Sequence, residues 1–377
     1  MPKDPLRVLY VAPHAHLGGA ERTVLDLLAL HDREAVEPSV VFLRDGPLVA
    51  HCRETLGIPT SLVVAPRLRR VFRARRAVAT LAALVSAQQV DLVHSVMGWG
   101  HLFGGRAARR AGRPSVWFQH TVAERRALDL RAALVPTRAI IANSIFTAGS
   151  QRRVNPRRWP IEVIHLGTRI PAEPRAARRE RGRRALGIGG DDFAVGIAGR
   201  LQRWKGQDVV LRAAATLLRA RPQARLFVIG APLSGLDGGY EAELHRLAAE
   251  LGIAARTVFT GFRDDMPDCL AALDVAVDAS VQSEPFGLVL VEAMAAGTAL
   301  VAADGGAARE IVTHAADGLL LPPGDHETLA AALLELCDDP ARRAALAAAG
   351  ERTARERFDA VRMTRRMEAL YRTLVPA

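Results

Sequence analysis

Lysine is rare in this 377-residue chain: of its 51 lysine and arginine residues, only Lys3 and Lys205 are lysines. Lys205 lies in the segment GRLQRWKGQD, five positions after Arg200, between a strand-like apolar run and an amphipathic run that begins near Gly206. A helix beginning there would add its free amides and the positive end of its dipole to the two cations. Lysine brings a compact charge on a thin stem, whereas arginine brings a wider planar fork. This loop therefore suits a diphosphate; the alternative is a solvated lysine without a function.

A second segment, SEPFGLVLVEAMAAG at 283–297, places Glu284 and Glu292 eight positions apart. A helix is predicted from about Gly287, so the two carboxylates are separated by at most roughly 12 Å. The free amides of the first helical turn lie between them. One carboxylate can accept hydrogen bonds from sugar hydroxyls and the other from ribose hydroxyls, which suits a nucleotide sugar. The alternative is an N-cap at Glu284 and a solvated Glu292, which the apolar run VLVEAMAA around Glu292 disfavours.

Both segments need a scaffold that brings their loops to one edge. Short β-rich runs alternate with longer amphipathic runs such as DVVLRAAATLLRA along the whole chain. This alternation predicts parallel sheets with helices on both faces. Because it occurs twice, we expect an α/β protein of two doubly wound, Rossmann-like domains facing a cleft. Ligands of such sheets bind outside the carboxyl ends of the strands.

The domain boundary is visible in the composition. Segment 171–192 is polar, basic and rich in glycine and proline, and it is predicted to hold one exposed helix between the domains. We therefore expect an N-terminal domain over 1–170 on the acceptor side and a C-terminal donor domain over 171–355. A closing helix over 356–377 can pack on either domain.

The composition limits the class of protein and its surroundings. Hydrophobic content of 49% and charged content of 24% are typical of a globular protein. Three scattered cysteines, an N-terminal apolar run too short for a signal peptide and the lack of a long apolar run favour the cytoplasm. The net charge of +11 attracts polyanions, unless it only reflects an arginine-rich gene composition. Aromatic residues are 5% and not interleaved with the arginines, which disfavours nucleic acid as a partner.

Histidines supply a further candidate group. His120 ends the strand-like run SVWFQH, and a side chain at the carboxyl end of a parallel strand lies where ligands bind. The alternative is a structural histidine. His14 and His16, in the loop before Gly18, can serve an acceptor or simply cap the loop.

The Arg-x4-Lys loop and the Glu-x7-Glu segment, in this order about 80 residues apart, resemble those of the retaining nucleotide-sugar glycosyltransferases of family 4. The segments GGAERTVLDLL, IIANSIFTAG and FDAVRMTRRMEALY also resemble segments of this family, so the resemblance covers nearly the whole chain. It implies the GT-B fold and an enzyme of class EC 2.4 that transfers a sugar, with retention of anomeric configuration, from a nucleoside-diphosphate sugar to an acceptor hydroxyl. Cell-surface polysaccharide or glycolipid synthesis is the expected pathway.

The resemblance also implies roles for single residues. His120, Lys205 and Glu284 would form the catalytic group, with His120 near the sugar and the acceptor. The amide of Gly19 would bind the diphosphate together with Arg200 and Lys205, and Glu292 would bind the ribose. The donor sugar would be held by Glu284 and by the amides of Phe286, Gly287 and Leu288.

The same resemblance implies a reaction without a cofactor. The chain has no Asp-x-Asp pair of the kind that binds a metal diphosphate, so we expect no metal; two cations and a helix dipole would replace it. Rival interpretations are another GT-B enzyme, either a nucleotide-sugar epimerase or a sugar phosphorylase, and a polyanion-binding protein without enzymatic activity.

The basic stretch 67–76 has two interpretations. It holds six arginines within ten positions; Arg69, Arg73 and Arg76 share one predicted helical face, and apolar residues including Val71 fall on or near the other. It is either a solvated helix packed on a sheet or a surface that docks on anionic lipid at the inner face of the membrane. The second interpretation would suit a lipid-linked acceptor.

Overall fold

A computed structural model describes residues 4–67, 69–232 and 239–375 of the chain. The chain divides into two compact units. The first comprises the described parts of Met1–Arg169 and Ala360–Ala377, and the second comprises the described part of Ile170–Asp359. Each unit is a parallel sheet with helices between successive strands, as the alternating pattern predicts.

The first unit is built on a seven-stranded parallel sheet in the order β3-β2-β1-β4-β5-β6-β7. Runs rich in Val, Ile and Leu form the central strands because both faces of the sheet are covered, and β4, β5 and β6 are buried along their whole length. The strands are β1 (Leu6–Ala12), β2 (Val36–Phe42), β3 (Thr60–Leu62), β4 (Leu92–Val96), β5 (Ser115–Gln119), β6 (Ala139–Ala142) and β7 (Ile161–Val163).

Helices cover this sheet, and the last helix of the chain returns to it. Ser144 caps α6 by accepting a hydrogen bond from the amide of Thr147. The helices are α1 (Gly19–Leu30), α2 (Pro47–Ala50) continued by a π-helical turn (His51–Thr55), α3 (Val71–Ala87), α4 (Met97–Arg110), α5 (Ala127–Ala133), α6 (Ile145–Arg152) and, after the second unit, α15 (Ala360–Leu374).

The second unit repeats the plan with six parallel strands in the order β10-β9-β8-β11-β12-β13. Its strands are β8 (Phe193–Ala198), β9 (Ala224–Ile229), β10 (Thr257–Gly261), β11 (Val275–Asp278), β12 (Ala299–Ala303) and β13 (Leu319–Leu321). Its helices are α7 (Arg175–Leu186), α8 (Gln207–Ala220), α9 (Tyr240–Glu250), α10 (Met266–Ala272), α11 (Leu288–Ala295), α12 (Ala308–Ile311), α13 (His326–Asp338) and α14 (Pro340–Arg357), with 3₁₀ turns at Arg203–Lys205 and Ala254–Arg256.

Two helices differ from the expectation in which faces they bury. Helix α7 was expected to be exposed, but Gly182 on it is buried so closely against α10 that a Cβ atom would overlap the carbonyl group of Asp268. In α3, Leu81 and Val85 are buried as expected, whereas Val71 and Phe72 in the first turn are exposed. The side chain of Phe72 is 83% exposed, so the basic stretch also carries an apolar residue into solvent. Leu68 of that stretch lies outside the described residues.

Candidate functional site

The strand order of the second unit places two sequence-predicted loops side by side. β8 and β11 are neighbours, and the chain leaves β8 toward one edge of the sheet and β11 toward the other, which makes their carboxyl ends a topological switch point. The loops that follow them touch directly, since the amide of Val281 donates a hydrogen bond of 2.8 Å to the carbonyl oxygen of Trp204. Gly206 has a left-handed backbone (φ 69°), and a Cβ atom there would overlap the carbonyl oxygen of Ala279.

Lys205 and Glu284 meet across these two loops. The ammonium group of Lys205 donates a hydrogen bond to Oε1 of Glu284, and only 13% and 10% of the two side chains are exposed. The Lys205 Nζ atom also lies 4.4 Å from the centre of the Trp204 ring. Because this mostly buried ion pair lies at a switch point, a ligand that carries both an anion and hydroxyl groups can replace it. The anion can bind Lys205, and the hydroxyl groups can donate hydrogen bonds to Glu284.

The backbone of Glu284 is fixed by a third loop, which follows β12. The carbonyl oxygen of Glu284 accepts a hydrogen bond of 3.1 Å from the amide of Ala307. Gly306 also has a left-handed backbone (φ 59°), and a Cβ atom there would overlap the backbone of Glu284. Glu284 is therefore held at a point where the loops after β8, β11 and β12 converge.

Sequence reasoning missed two residues beside this pair. Asp278 ends β11 and is buried, and the Ser280 hydroxyl lies 2.8 Å from Oδ1 of Asp278 and 2.7 Å from Oε1 of Glu284. Burial, followed by the negative charge of Glu284, raises the pKa of Asp278 to about 7 against the opposing effect of Lys205. A carboxylate closing the otherwise apolar strand VAVD was the available signal.

The other residues predicted in the second unit surround the pair along the chain. Arg200 is exposed, and its carbonyl oxygen accepts a hydrogen bond of 2.9 Å from Nε2 of Gln207, the first residue of α8. Gly287 adopts a left-handed backbone (φ 92°) as the N-cap of α11, so Leu288 begins the helix. In that first turn the amide of Leu290 donates a hydrogen bond of 3.0 Å to the carbonyl oxygen of Gly287, and the amides before it have no acceptor within the helix. Phe286 is buried and Glu292 is partly buried, and both lie on the same segment as Glu284.

The remaining predicted residues belong to the first unit. Gly19 is exposed and is the first residue of α1, which follows β1. His120 directly follows β5; it is 7% exposed, and its Nε2 atom is buried without a hydrogen-bond partner among the described residues. Burial lowers the pKa of His120 to about 3, so its imidazole is neutral at physiological pH. His14 lies 3.4 Å from Glu21, and His16 is exposed.

A buried polar chain in the first unit was also missed. Tyr371 on α15 hydrogen bonds to Tyr10 at 2.8 Å and to His94 at 2.6 Å. Tyr10 contacts His31 at 2.6 Å, and His31 contacts Glu368 on α15 at 2.9 Å. Burial lowers the pKa of His31, and the His31 contact lowers that of Glu368, so a neutral imidazole faces a carboxylate. This chain anchors α15 to strands β1 and β4.

The described residues contain neither a cluster of metal ligands nor a membrane-spanning helix. No three His, Cys, Asp or Glu side chains there are arranged to hold a metal ion. None of the helices in the described ranges is long and apolar enough to cross a membrane. Independence of metal and of cofactors stays a prediction.

The GT-B fold consists of two Rossmann-like units such as these, and comparisons with known proteins give the fold and the family of this chain. The family profile "Glycosyltransferase Family 4" matches residues 17–170, and "Glycosyl transferases group 1" matches residues 178–353. The D-inositol 3-phosphate glycosyltransferase of Thermobispora bispora is 33% identical over 344 residues, covering 84% of this chain and 78% of that protein. Its namesake from Streptomyces avermitilis is 34% identical over 70% of this chain and 61% of its own length.

Solved structures agree with this relationship. HepE from Anabaena, crystallised in complex with UDP-glucose, superposes with a TM-score of 0.86 at 28% sequence identity, covering 98% of this chain and all of that chain. The chain belongs to the family 4 glycosyltransferases, has the GT-B fold and is a glycosyltransferase. It is therefore an enzyme of glycosyl transfer. This finding contradicts the alternative interpretation of the chain as a polyanion-binding protein without enzymatic activity.

Proposed function

We propose that the chain transfers a sugar from a nucleoside-diphosphate sugar to an acceptor hydroxyl, with the donor bound at the Lys205–Glu284 pair. The observation that carries the proposal is this buried pair of opposite charges at the carboxyl ends of β8 and β11. The donor diphosphate would draw Lys205 away from Glu284, and the carboxylate would then accept hydrogen bonds from the sugar hydroxyls. HepE, a relative over the whole chain, binds UDP-glucose, which makes this donor the first to test.

In this proposal the other predicted residues complete the donor site. Arg200 assists Lys205 in neutralising the negative charge of the diphosphate. This charge grows in the transition state as the glycosidic bond breaks. The amide of Gly19 binds the diphosphate. Glu292 binds the ribose, while the amides of Phe286, Gly287 and Leu288 bind the sugar. Neutral His120 supplies a ring nitrogen that can accept a hydrogen bond near the sugar.

We propose that the anomeric configuration is retained and that no metal or other cofactor takes part. No carboxylate stands out as a covalent nucleophile, so the departing phosphate would help to deprotonate the acceptor on the face it leaves. The family resemblance favours a polysaccharide or glycolipid acceptor; the curated relatives are named for inositol 3-phosphate, so a phosphorylated polyol is a second candidate.

The test is a panel of UDP-, GDP- and ADP-sugars with both acceptor classes. We expect one nucleotide class to stabilise the fold, and we expect that donor to be hydrolysed slowly when no acceptor is present. With an acceptor, the anomeric coupling constant of the product in NMR should match that of the donor. EDTA should leave the rate unchanged. Conversion of the donor to an epimer, or a product that forms only with free sugar phosphate, would favour the rival enzymes. An inverted product would contradict retention.

We further propose that the basic stretch of α3 docks on an anionic phospholipid surface. A groove of about 760 Å³ lies between α3, α4 and α5, with Arg75, Arg106, Arg110 and Arg131 among its lining residues. Burial lowers the pKa of Arg106, and the positive charge of the neighbouring Arg131 lowers it further. Phe72, which follows the groove residue Val71 in the first turn of α3, is exposed. Arginines with an exposed phenyl ring are complementary to anionic headgroups over acyl chains.

Co-sedimentation with vesicles tests this docking. We expect the protein to bind phosphatidylglycerol vesicles at low salt and not phosphatidylcholine vesicles. The double variant Arg73→Gln/Arg76→Gln should bind at least several-fold more weakly. Arg212→Gln/Arg219→Gln, which removes the same charge from exposed positions of α8 in the second unit, should bind like the wild type. Equal binding by both variants, or none by the wild type, would remove the proposal.

A further inference from the structure

Ser280 poses a question of proton number beside Glu284. Its hydroxyl lies within hydrogen-bond distance of two carboxyl oxygens, 2.8 Å from Asp278 and 2.7 Å from Glu284. A hydroxyl group carries one hydrogen, so it can donate to only one of the two. The second contact is a hydrogen bond only if the other carboxyl group is protonated and donates to the Ser280 oxygen.

The surroundings decide which carboxyl group carries that proton. Glu284 accepts a hydrogen bond from the Lys205 ammonium group, and a cation in contact favours the carboxylate form. Asp278 is 6% exposed and has no comparable contact with a cation among the described residues. The consistent arrangement is a neutral Asp278 that donates to Ser280, which donates to ionised Glu284. The raised pKa of Asp278, about 7, agrees with this order.

The groups facing Asp278 are few. Glu284 and Lys205 act on it from the two loops described above. Asp278 also lines a small cavity. Asp325, the N-cap of α13, lines this cavity too, together with apolar residues of α8 and β12. Hydrogen bonds from the Thr328 side chain and amide hold the pKa of Asp325 below its ordinary value, so Asp325 stays ionised where Asp278 changes charge.

We propose that Asp278 is a positioning residue whose protonated carboxyl group, acting through Ser280, holds Glu284 in place to bind the donor sugar. The proposal rests on the proposed function. When a donor diphosphate takes Lys205, Glu284 loses its cation, and the Ser280 contact remains to orient it. Loss of the Asp278 proton reverses that support: the single hydrogen of the Ser280 hydroxyl can then go to either carboxylate instead of to Glu284, and a second negative charge lies beside Glu284 and close to the donor phosphates.

The test measures the KM for the donor sugar and kcat between pH 6 and pH 8.5. For the wild type we expect the KM to rise about tenfold per pH unit above the Asp278 pKa, with a smaller change in kcat. Asp278→Asn keeps a donor to Ser280 but cannot ionise, so its KM should be flat with pH. Ser280→Ala breaks the connection, so its KM should be raised at pH 6 and depend less on pH.

Controls separate this proposal from its premise. Asp325→Asn keeps a good helix cap and removes the other carboxylate of the cavity, so it should retain the wild-type pH dependence. A wild-type KM that is flat with pH, or a slope that survives in Asp278→Asn, would overturn the inference while donor turnover leaves the proposed function intact. If no nucleotide sugar is bound or turned over at any pH, both the proposed function and this inference fail. Should Asp278→Asn not fold, the wild-type profile and Ser280→Ala still decide.

Discussion

At the scale of single residues, Lys205 has little room for a different cation. Its side chain is mostly buried between the ring of Trp204 and the carboxylate of Glu284. An arginine there would carry a wider planar group on a longer stem into a space fitted to one ammonium group. The rarity of lysine elsewhere in the chain is consistent with a position that only lysine fills well.

We therefore predict that Lys205→Arg lowers kcat/KM by roughly 10²–10³, the usual cost of losing one well-placed electrostatic group in a transition state. Circular dichroism and thermal melting should show an intact fold. The matched control is Arg203→Ala, two positions earlier, which removes an exposed cation paired with Glu243. If Lys205→Arg keeps wild-type turnover, the fit of the ammonium group is not important for the reaction.

The pKa of Asp278 also makes a prediction about stability. A carboxyl group whose folded pKa is raised binds its proton more tightly in the folded protein, so its contribution to stability is greatest at low pH. That contribution is lost as the pH rises from about 4 through about 7. Asp278→Asn should therefore gain free energy of unfolding relative to the wild type between pH 5 and pH 8. Urea unfolding at the two pH values measures it, and a constant difference would contradict the raised pKa.

At the scale of elements, the strands were predictable and the long-range contacts were not. Each strand-like run contributes to an observed strand because apolar β-branched residues between polar turns signal a buried parallel strand locally. The Tyr10–Tyr371 contact joins residues 361 positions apart, and no local pattern encodes it. By contrast, the sequence predicts Glu284 and Lys205 in one site, because each lies in a loop that follows a strand of the same sheet. The raised pKa of Asp278 depends on its burial and on the charge of Glu284, and it left no sequence signal beyond its position.

The contact of α15 with the first sheet gives an element-scale prediction. Tyr371→Phe removes the hydroxyl that both Tyr10 and His94 contact, leaving two buried polar groups each with a lost partner. We expect a loss of about 1–3 kcal/mol in the free energy of unfolding, measured in urea. Tyr240→Phe is the matched control, because among the described residues its hydroxyl hydrogen bonds to Asp208 alone, at 3.2 Å. A cost for Tyr371→Phe no larger than the control's would show that α15 is held by apolar packing alone.

At the scale of the whole molecule, buried histidines predict sensitivity to acid in the first unit. Burial lowers the pKa of His31 and His94, that of His101 to about 4 and that of His120 to about 3. A histidine with a lowered folded pKa binds protons better when unfolded, so its contribution is present above about pH 6.5 and lost as the pH falls. At pH 5 each fully neutral buried histidine costs up to about 2 kcal/mol of stability.

We expect the melting temperature of the first unit to be lower at pH 5 than at pH 7.5. Three of the four tryptophans, Trp99, Trp117 and Trp159, lie in that unit and can report it by fluorescence. His120→Gln should reduce the pH dependence, because glutamine does not titrate. A melting temperature unchanged between the two pH values would contradict the neutral, buried state of these histidines.

We propose that Lys205 binds the diphosphate of a nucleotide sugar, and calorimetric titration measures that contact. Wild type and Lys205→Ala are each titrated with UDP and with uridine, which lacks phosphates, or with the nucleotide class that the donor panel selects. Lys205→Ala should bind the diphosphate about 100-fold more weakly than the wild type, a loss of about 2.7 kcal/mol, with no change for the nucleoside. Equal affinity of the two proteins for the nucleoside diphosphate would contradict it.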